Sequence, residues 1–271
     1  MSMEALFRNN QTLPNVPRVV HELIASFGRD DVAVSEIATG VQADQVLSAK
    51  LLRAANCAHY GVSRRIGSVD EAVMLLGFNN IRAIVIGSGL AGSAKPAPGL
   101  DLTAFWHYSV RTAAAARWLA SRTGEDGGIA FTLGMMHAIG QLVMHAAMPE
   151  RMQLVDRVSG AFSLERPAVE RREFGFDFHA VGAELASRWQ FPEQLVAALR
   201  LAEAPGGDRM AAVVCLAVWA ARCDALALAA DARAAALPAE AVAALGIDPS
   251  LPLEDLPPLA ELAADMESLI G

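Results

Sequence analysis

Three cysteines in 271 residues are too few for a disulfide framework, and an odd count suits a reducing compartment. Cys215 and Cys223 stand eight positions apart, about 12 Å along a helix, which is too far to bridge. Positive charge is not in excess: Lys+Arg 22 against Asp+Glu 30 leaves −8, so the chain does not advertise a polyanion binder. No apolar run reaches the roughly 20 residues of a membrane span; the longest, 210–221, stops at Arg222. The N-terminus lacks the charged-then-apolar layout of an export signal. These absences predict a cytoplasmic protein with no membrane insertion. Strand signals are nearly missing too, since the β-branched run at 81–86 has no partner hairpin. Gly87-Ser88-Gly89 lacks the Lys and spacing of a phosphate loop, and neither Ser88 nor Ser109 sits in a nucleophile elbow.

What remains is apolar and helical. Hydrophobic residues reach 54% and charged residues 19%, which excludes a disordered or collagen-like chain. Val19, Leu23 and Phe27 recur at helical spacing, as do Val46, Leu51, Leu52 and Ala55 after Asp44, an expected N-cap. Ser68-Val-Asp-Glu71 matches a capping box, and the run after it ends at Gly77. Asn79 or Asn80 is expected to cap the next helix, 81–90. The stretch 92–99, with Pro96, Pro98 and Gly99, reads as a linker. Beyond it the pattern predicts helices at 103–120 (capped by Thr103), 128–145, 164–174, 180–189, 192–202 and 210–230. The division expected is 1–95, an N-terminal helical lobe, 96–223, a helical bundle, and 224–271, an acidic helical extension. That extension holds nine acids and one base, so residues 1–223 are balanced at 21 of each sign. Its last helix carries Leu259, Leu262, Met266 and Leu269 on one side and is expected to pack back on the second lobe, with docking to a partner as the alternative.

Several ordered blocks carry a family resemblance. They are Leu13-Pro14-Asn15-Val16-Pro17; Asp44 through Leu51-Leu52-Arg53 to Asn56-Cys57; and Ile66-Gly67-Ser68 through Leu76-Gly77. In the second lobe they are Phe105-Trp106-His107-Tyr108-Ser109, Gly134 through His137-Ala138-Ile139-Gly140, Phe174-Gly175-Phe176-Asp177, and Gly182 to Trp189. Over about residues 10–222 the chain resembles the HDOD family, bacterial signalling domains related to HD-type metal phosphohydrolases. The resemblance implies an all-α fold in which an N-terminal helical lobe packs on an HD-like bundle.

The HD chemistry needs a His, a His-Asp pair and further ligands around one or two divalent ions, because imidazole suits transition metals and a carboxylate offsets their charge. This sequence departs from that set. His137 matches the His of the doublet, but Ala138 stands where the Asp should be. Gln141 follows Ile139-Gly140 where a Lys is common. Tyr108 takes one expected His position, with His107 one residue early; Phe178 takes another, with His179 one residue late. A later His pair falls on Ala202 and Glu203. One residue of register turns a helical side chain by about 100°.

The expectation is a non-enzymatic signal-transduction module without cofactor, acting by binding. The resemblance implies signalling proteins as partners: a sensor kinase, a response regulator or a cyclic-dinucleotide enzyme. A small ligand would sit near His137, Tyr108 and Gln141. The alternative is a metal-dependent phosphohydrolase of a nucleotide or cyclic dinucleotide, with His107, His137 and His179 as ligands. Lys50, Arg53, Arg64, Arg65 and Arg82 form at most a local basic patch, with no helix-turn-helix pattern and no nucleic acid implied. Cys57 reads as a small buried residue and Asn56 as a helix end or cap. His21, His59 and His145 carry no functional argument.

Overall fold

A computed structural model describes residues 2–8, 14, 16–25, 34–56, 65–93 and 97–270. Leu13, Asn15, Phe27, Cys57, His59, Arg64 and Pro96, named above, lie outside the described residues, as do the side chains of Asn79 and Leu269. Among the described residues there is no strand, and the fold is all-α.

The N-terminal part comprises α1 (Met3–Leu6), α2 (Arg18–Ala25), α3 (Val34–Gln42), α4 (Gln45–Ala55), α5 (Val69–Leu76) and α6 (Phe78–Ser93). Asp44 caps α4 by accepting from the Val46 and Leu47 N–H groups, at 2.9 and 3.0 Å. Ser68 caps α5 through the Glu71 N–H, while Glu71 reaches back to the Gly67 N–H rather than to Ser68. Gly77 closes α5 with φ +74°, a conformation that favours glycine. Asn56 ends α4 as expected and does more: its side chain bonds Leu52 O and both the O and N–H of Ile66, pinning the chain that leads into α5. The buried face of α4 is Leu47, Leu51, Ala54 and Ala55; Val46, expected on it, is exposed because it lies about 100° round the helix from Leu47.

The second part holds α7 (Leu102–Thr123), α8 (Gly127–Met136), α9 (Ile139–Ala147), α10 (Pro149–Val158), α11 (Arg166–Phe174), α12 (Phe178–Arg188), α13 (Glu193–Arg200) and α14 (Arg209–Ala225). Asp101, Asp126, Asp177 and Asp208 cap α7, α8, α12 and α14 through their carboxylates, each such cap adding about 1 kcal/mol. Asp101 therefore replaces the expected Thr103 cap. The expected single helix 128–145 is broken at His137-Ala138 into α8 and α9. By length and composition the stretch Gly127–Ala147 could cross a membrane, but 83% of it packs inside the protein. The helix α10 is additional to those the pattern predicts, and Pro149 at its first position is its start signal.

Close backbone approaches set the core. A Cβ on Gly134 would fall 2.5 Å from Ala113 Cα, so α8 lies directly on α7. On Gly140 it would fall 2.0 Å from Phe178 O, so α9 meets the start of α12 backbone to backbone. Gly87 and Gly89 lie inside α6, not at a helix end; Gly89 faces Val20 of α2 and Gly87 faces Met266.

Short helices α15 (Ala230–Ala235) and α16 (Ala239–Leu245), a π-helical turn (Leu251–Asp255) and α17 (Leu259–Ile270) complete the chain. The last helix packs on α7 and also touches α4 and α6, so it spans both lobes. Leu259, Ala263 and Met266 are buried. Glu267 accepts from Arg111 Nε at 2.7 Å, and Arg111 also holds Asp224 at 2.8 Å. The acidic tail thus docks on the second lobe's arginine. The N-terminal basic patch is not one surface, because Arg82 is buried.

Candidate ligand site

The break between α8 and α9 places His137 in the core, 1% exposed. Its Nδ1 lies 2.6 Å from Gly134 O, so Nδ1 carries the proton and donates, leaving Nε2 as an acceptor without a partner. Burial is the main reason its pKa drops to about 3, so the ring is neutral. Tyr108, on α7, meets it edge-on with ring centroids 4.9 Å apart and also packs on Phe162.

The close approach of α9 and α12 brings His179 alongside. Asp177 starts α12, so the Phe-Gly-Phe-Asp block works as a cap, held further by Arg171. His179 is 3% exposed, has an unpartnered Nδ1, and stays neutral through burial and then the charge of Arg222. Arg222, near the end of α14, is the member that the sequence reading missed. It is 5% exposed, and its Nε and Nη2 have no hydrogen-bond partner. Its charge acts on Tyr108, His137, His179 and Cys215, so these groups lie near it. Burial raises the Tyr108 pKa, and its hydroxyl lies near Arg222 and Thr112 without closing a bond of normal geometry. The Cys215 thiol is pushed up to about 12 by burial, which makes it inert.

The signal for Arg222 was present. Cys215, Trp219 and Arg222 lie at i, i+4 and i+7, one face of a helix, so the arginine closing the apolar run 210–221 had to point where Trp219 points. A cavity of about 150 Å³ opens on that face, walled by His179, Glu203, Cys215, Trp219 and Arg222. His137, Tyr108 and Gln141 do not line it. The Gln141 amide donates to Ala161 O at 2.9 Å.

The expected metal triad is not assembled either. His137 and His179 come together, but His107 projects from another face of α7, half-exposed, 3.3 Å from Glu267. The single-residue register difference from Tyr108 decides this. Among the described residues no three His, Cys, Asp or Glu are grouped to hold a metal. Structural zinc needs four ligands and catalytic zinc about three. The residues present therefore do not fit a divalent ion: two imidazoles, an alanine at the carboxylate position, and a guanidinium among them.

A second buried cluster includes His145, about two helical turns beyond His137. Arg166, fully buried, donates Nε to Glu170 at 2.6 Å and Nη1 to Asp156 and Ser159 O. Glu170 also accepts the Phe178 N–H, and Asp156 lies 3.2 Å from His145 Nε2. This cluster is structural: it ties α9, α10, α11 and α12 into one body.

Comparison with known proteins fits this geometry. A sequence profile described as the HDOD domain matches residues 13–205. An uncharacterised protein of Treponema pallidum (strain Nichols) is 25% identical over 190 residues, 69% of this chain but 37% of that protein, so the chain spans little over a third of it. A Shewanella amazonensis SB2B structure, provisionally named a phosphohydrolase, is 27% identical, with TM-score 0.77 and full coverage of both chains. An HDOD domain protein of unknown function from Geobacter sulfurreducens, 21% identical, shares the fold with TM-score 0.79 over 98% of this chain and 97% of that one. The profile covers well over half of the sequence, and the chain belongs to the HDOD domain family.

Proposed function

We propose that this chain is a non-catalytic signal-transduction module, cytoplasmic, in which an HD-type scaffold has been kept for binding. The observation that carries the reading is Arg222 buried beside His137 and His179, with Ala138 at the doublet's second position. A guanidinium is permanently charged and has no lone pair to offer a metal. Two unit charges about 4 Å apart repel by about 4 kcal/mol at an effective dielectric of 20, and a divalent ion doubles this. The arginine therefore supplies the positive charge that a metal would bring, without its Lewis acidity or its activated water. Binding then remains as the output. By family resemblance the partners are signalling proteins such as a sensor kinase, a response regulator or a cyclic-dinucleotide enzyme. A neighbouring structure from Marinobacter aquaeolei VT8, described as a signal transduction protein, supports that direction by fold alone, at TM-score 0.76 and 22% identity.

A second reading, a metal-dependent phosphohydrolase, draws on the paired open ring nitrogens of His137 and His179 and on the name given to the Shewanella neighbour. Hydrolysis of an aryl phosphodiester in the presence of Mn²⁺, Fe²⁺ or Ni²⁺ separates the two. The binding reading expects no turnover above a His137→Ala control. Turnover that this substitution abolishes would replace it with the second reading.

A further inference from the structure

We propose that the cavity walled by His179, Glu203, Cys215, Trp219 and Arg222 binds a phosphoryl oxyanion. The inference rests on the metal-free reading of the site and names the ligand class that such a site takes. A buried guanidinium without acceptors is a standing cost, because each unpaired buried donor forfeits its hydration. Here Arg222 Nε and Nη2 and the indole Nε1 of Trp219 are all buried donors without partners, and Arg222 and Trp219 face one cavity. His179 adds an unpartnered Nδ1 to the same wall. The planar fork of an arginine matches the oxygens of a phosphate two at a time.

The nearby carboxylates do not fill this role. Glu203 lines the cavity, but both of its oxygens are held by Arg171, and Glu240 accepts from the Gly206 N–H. Size narrows the ligand. At about 150 Å³ the cavity is below the roughly 300 Å³ at which pockets take whole drug-sized molecules, so it admits a phosphate group and not a complete nucleotide. Cys215, Trp219, Arg222, Ala236 and Pro238 of its wall lie beyond residue 205, where the family match ends. The acidic extension thus builds part of the site.

Free inorganic phosphate and the phosphoryl end of a larger metabolite share this chemistry, and two arms of one experiment tell them apart. The full chain is titrated calorimetrically with sodium phosphate, and separately with AMP, at constant ionic strength in chloride with EDTA present. Arg222→Gln and Trp219→Phe variants, checked by circular dichroism, run beside it. We expect saturable one-to-one binding in at least one arm. Arg222→Gln should weaken it tenfold or more, and Trp219→Phe, which keeps the ring and removes only the donor, about threefold. Equal affinities for both ligands would identify free phosphate, and tighter AMP binding a phosphorylated metabolite. No saturable binding, or binding that both folded variants retain unchanged, overturns the inference and leaves the metal-free reading standing. Binding seen only when Mn²⁺ replaces EDTA would instead defeat that reading.

Discussion

Two buried clusters meet at the start of α12, are each built around an arginine and a histidine, and end in opposite states. Around Arg166 nearly every polar atom is spent: Nε and Nη1 have acceptors, Glu170 holds both a guanidinium and a backbone N–H, and His145 bonds at both nitrogens, with Arg166 Nη2 and Ser159 Oγ left over. Around Arg222 the reverse holds, with Tyr108 Oη, His137 Nε2, His179 Nδ1, Trp219 Nε1 and two guanidinium nitrogens unpartnered. A cluster that satisfies itself holds helices together. One that does not, and that borders a cavity, is built to be satisfied by something else. The comparison gives each cluster a different response to substitution.

The largest effect belongs to the first cluster. Glu170→Ala strands the fully buried Arg166 and should cost about 3–5 kcal/mol in denaturant unfolding. A loss below 1 kcal/mol would mean that Asp156 alone satisfies the arginine. Next comes acid. His137 titrates near 6.5 when unfolded and at about 3 in the fold, and His179 is also held well below 6.5. The unfolded chain therefore binds protons that the fold excludes. The stability involved is complete above pH 6.5; for His137 it is lost as pH falls from there to about 3, at about 1.4 kcal/mol per pH unit, and His179 adds to the loss in the same direction. His137→Asn should flatten the pH dependence of unfolding by one proton; an unchanged slope would show that the ring is not held neutral. Third, Arg222→Met strands no carboxylate and should change stability by less than about 1 kcal/mol or raise it. A loss as large as that of Glu170→Ala would make Arg222 structural and erase the contrast. The smallest effect is at the half-exposed tail contact. Glu267→Gln should cost under about 1 kcal/mol yet speed proteolysis beyond residue 248, and unchanged proteolysis would assign α17 docking to Leu259, Ala263 and Met266 alone.

Much of the framework was legible because it rests on local chemistry. Asp44, Ser68 and Gly77 act at the helix ends where their side chains or backbone freedom predict them. The ordered blocks led to the right fold, and two of their glycines, Gly134 and Gly140, prove to be places where helices touch through the backbone. The site was legible only in part. That His137 and His179 meet depends on α9 lying against α12, a contact between distant segments that no spacing encodes. His107 and Tyr108 differ by one position, and only the packing of α7 decides which turns inward. In the sequence Arg222 stops an apolar run; only the packing of α14 makes it the charged end of a buried face. The Arg166 network stayed hidden because its partner Asp156 sits on α10, whose Pro149 start signal went unweighed and whose outer side exposes Leu154 and Val158, blurring the apolar stripe.

The central claim is that a fixed guanidinium stands in for a bound metal. Element analysis of protein purified without chelator from metal-replete cells tests it most directly. The account predicts Mn, Fe, Ni and Zn well below one equivalent per chain and no change on His137→Ala. One equivalent or more, lost in that variant, would contradict it.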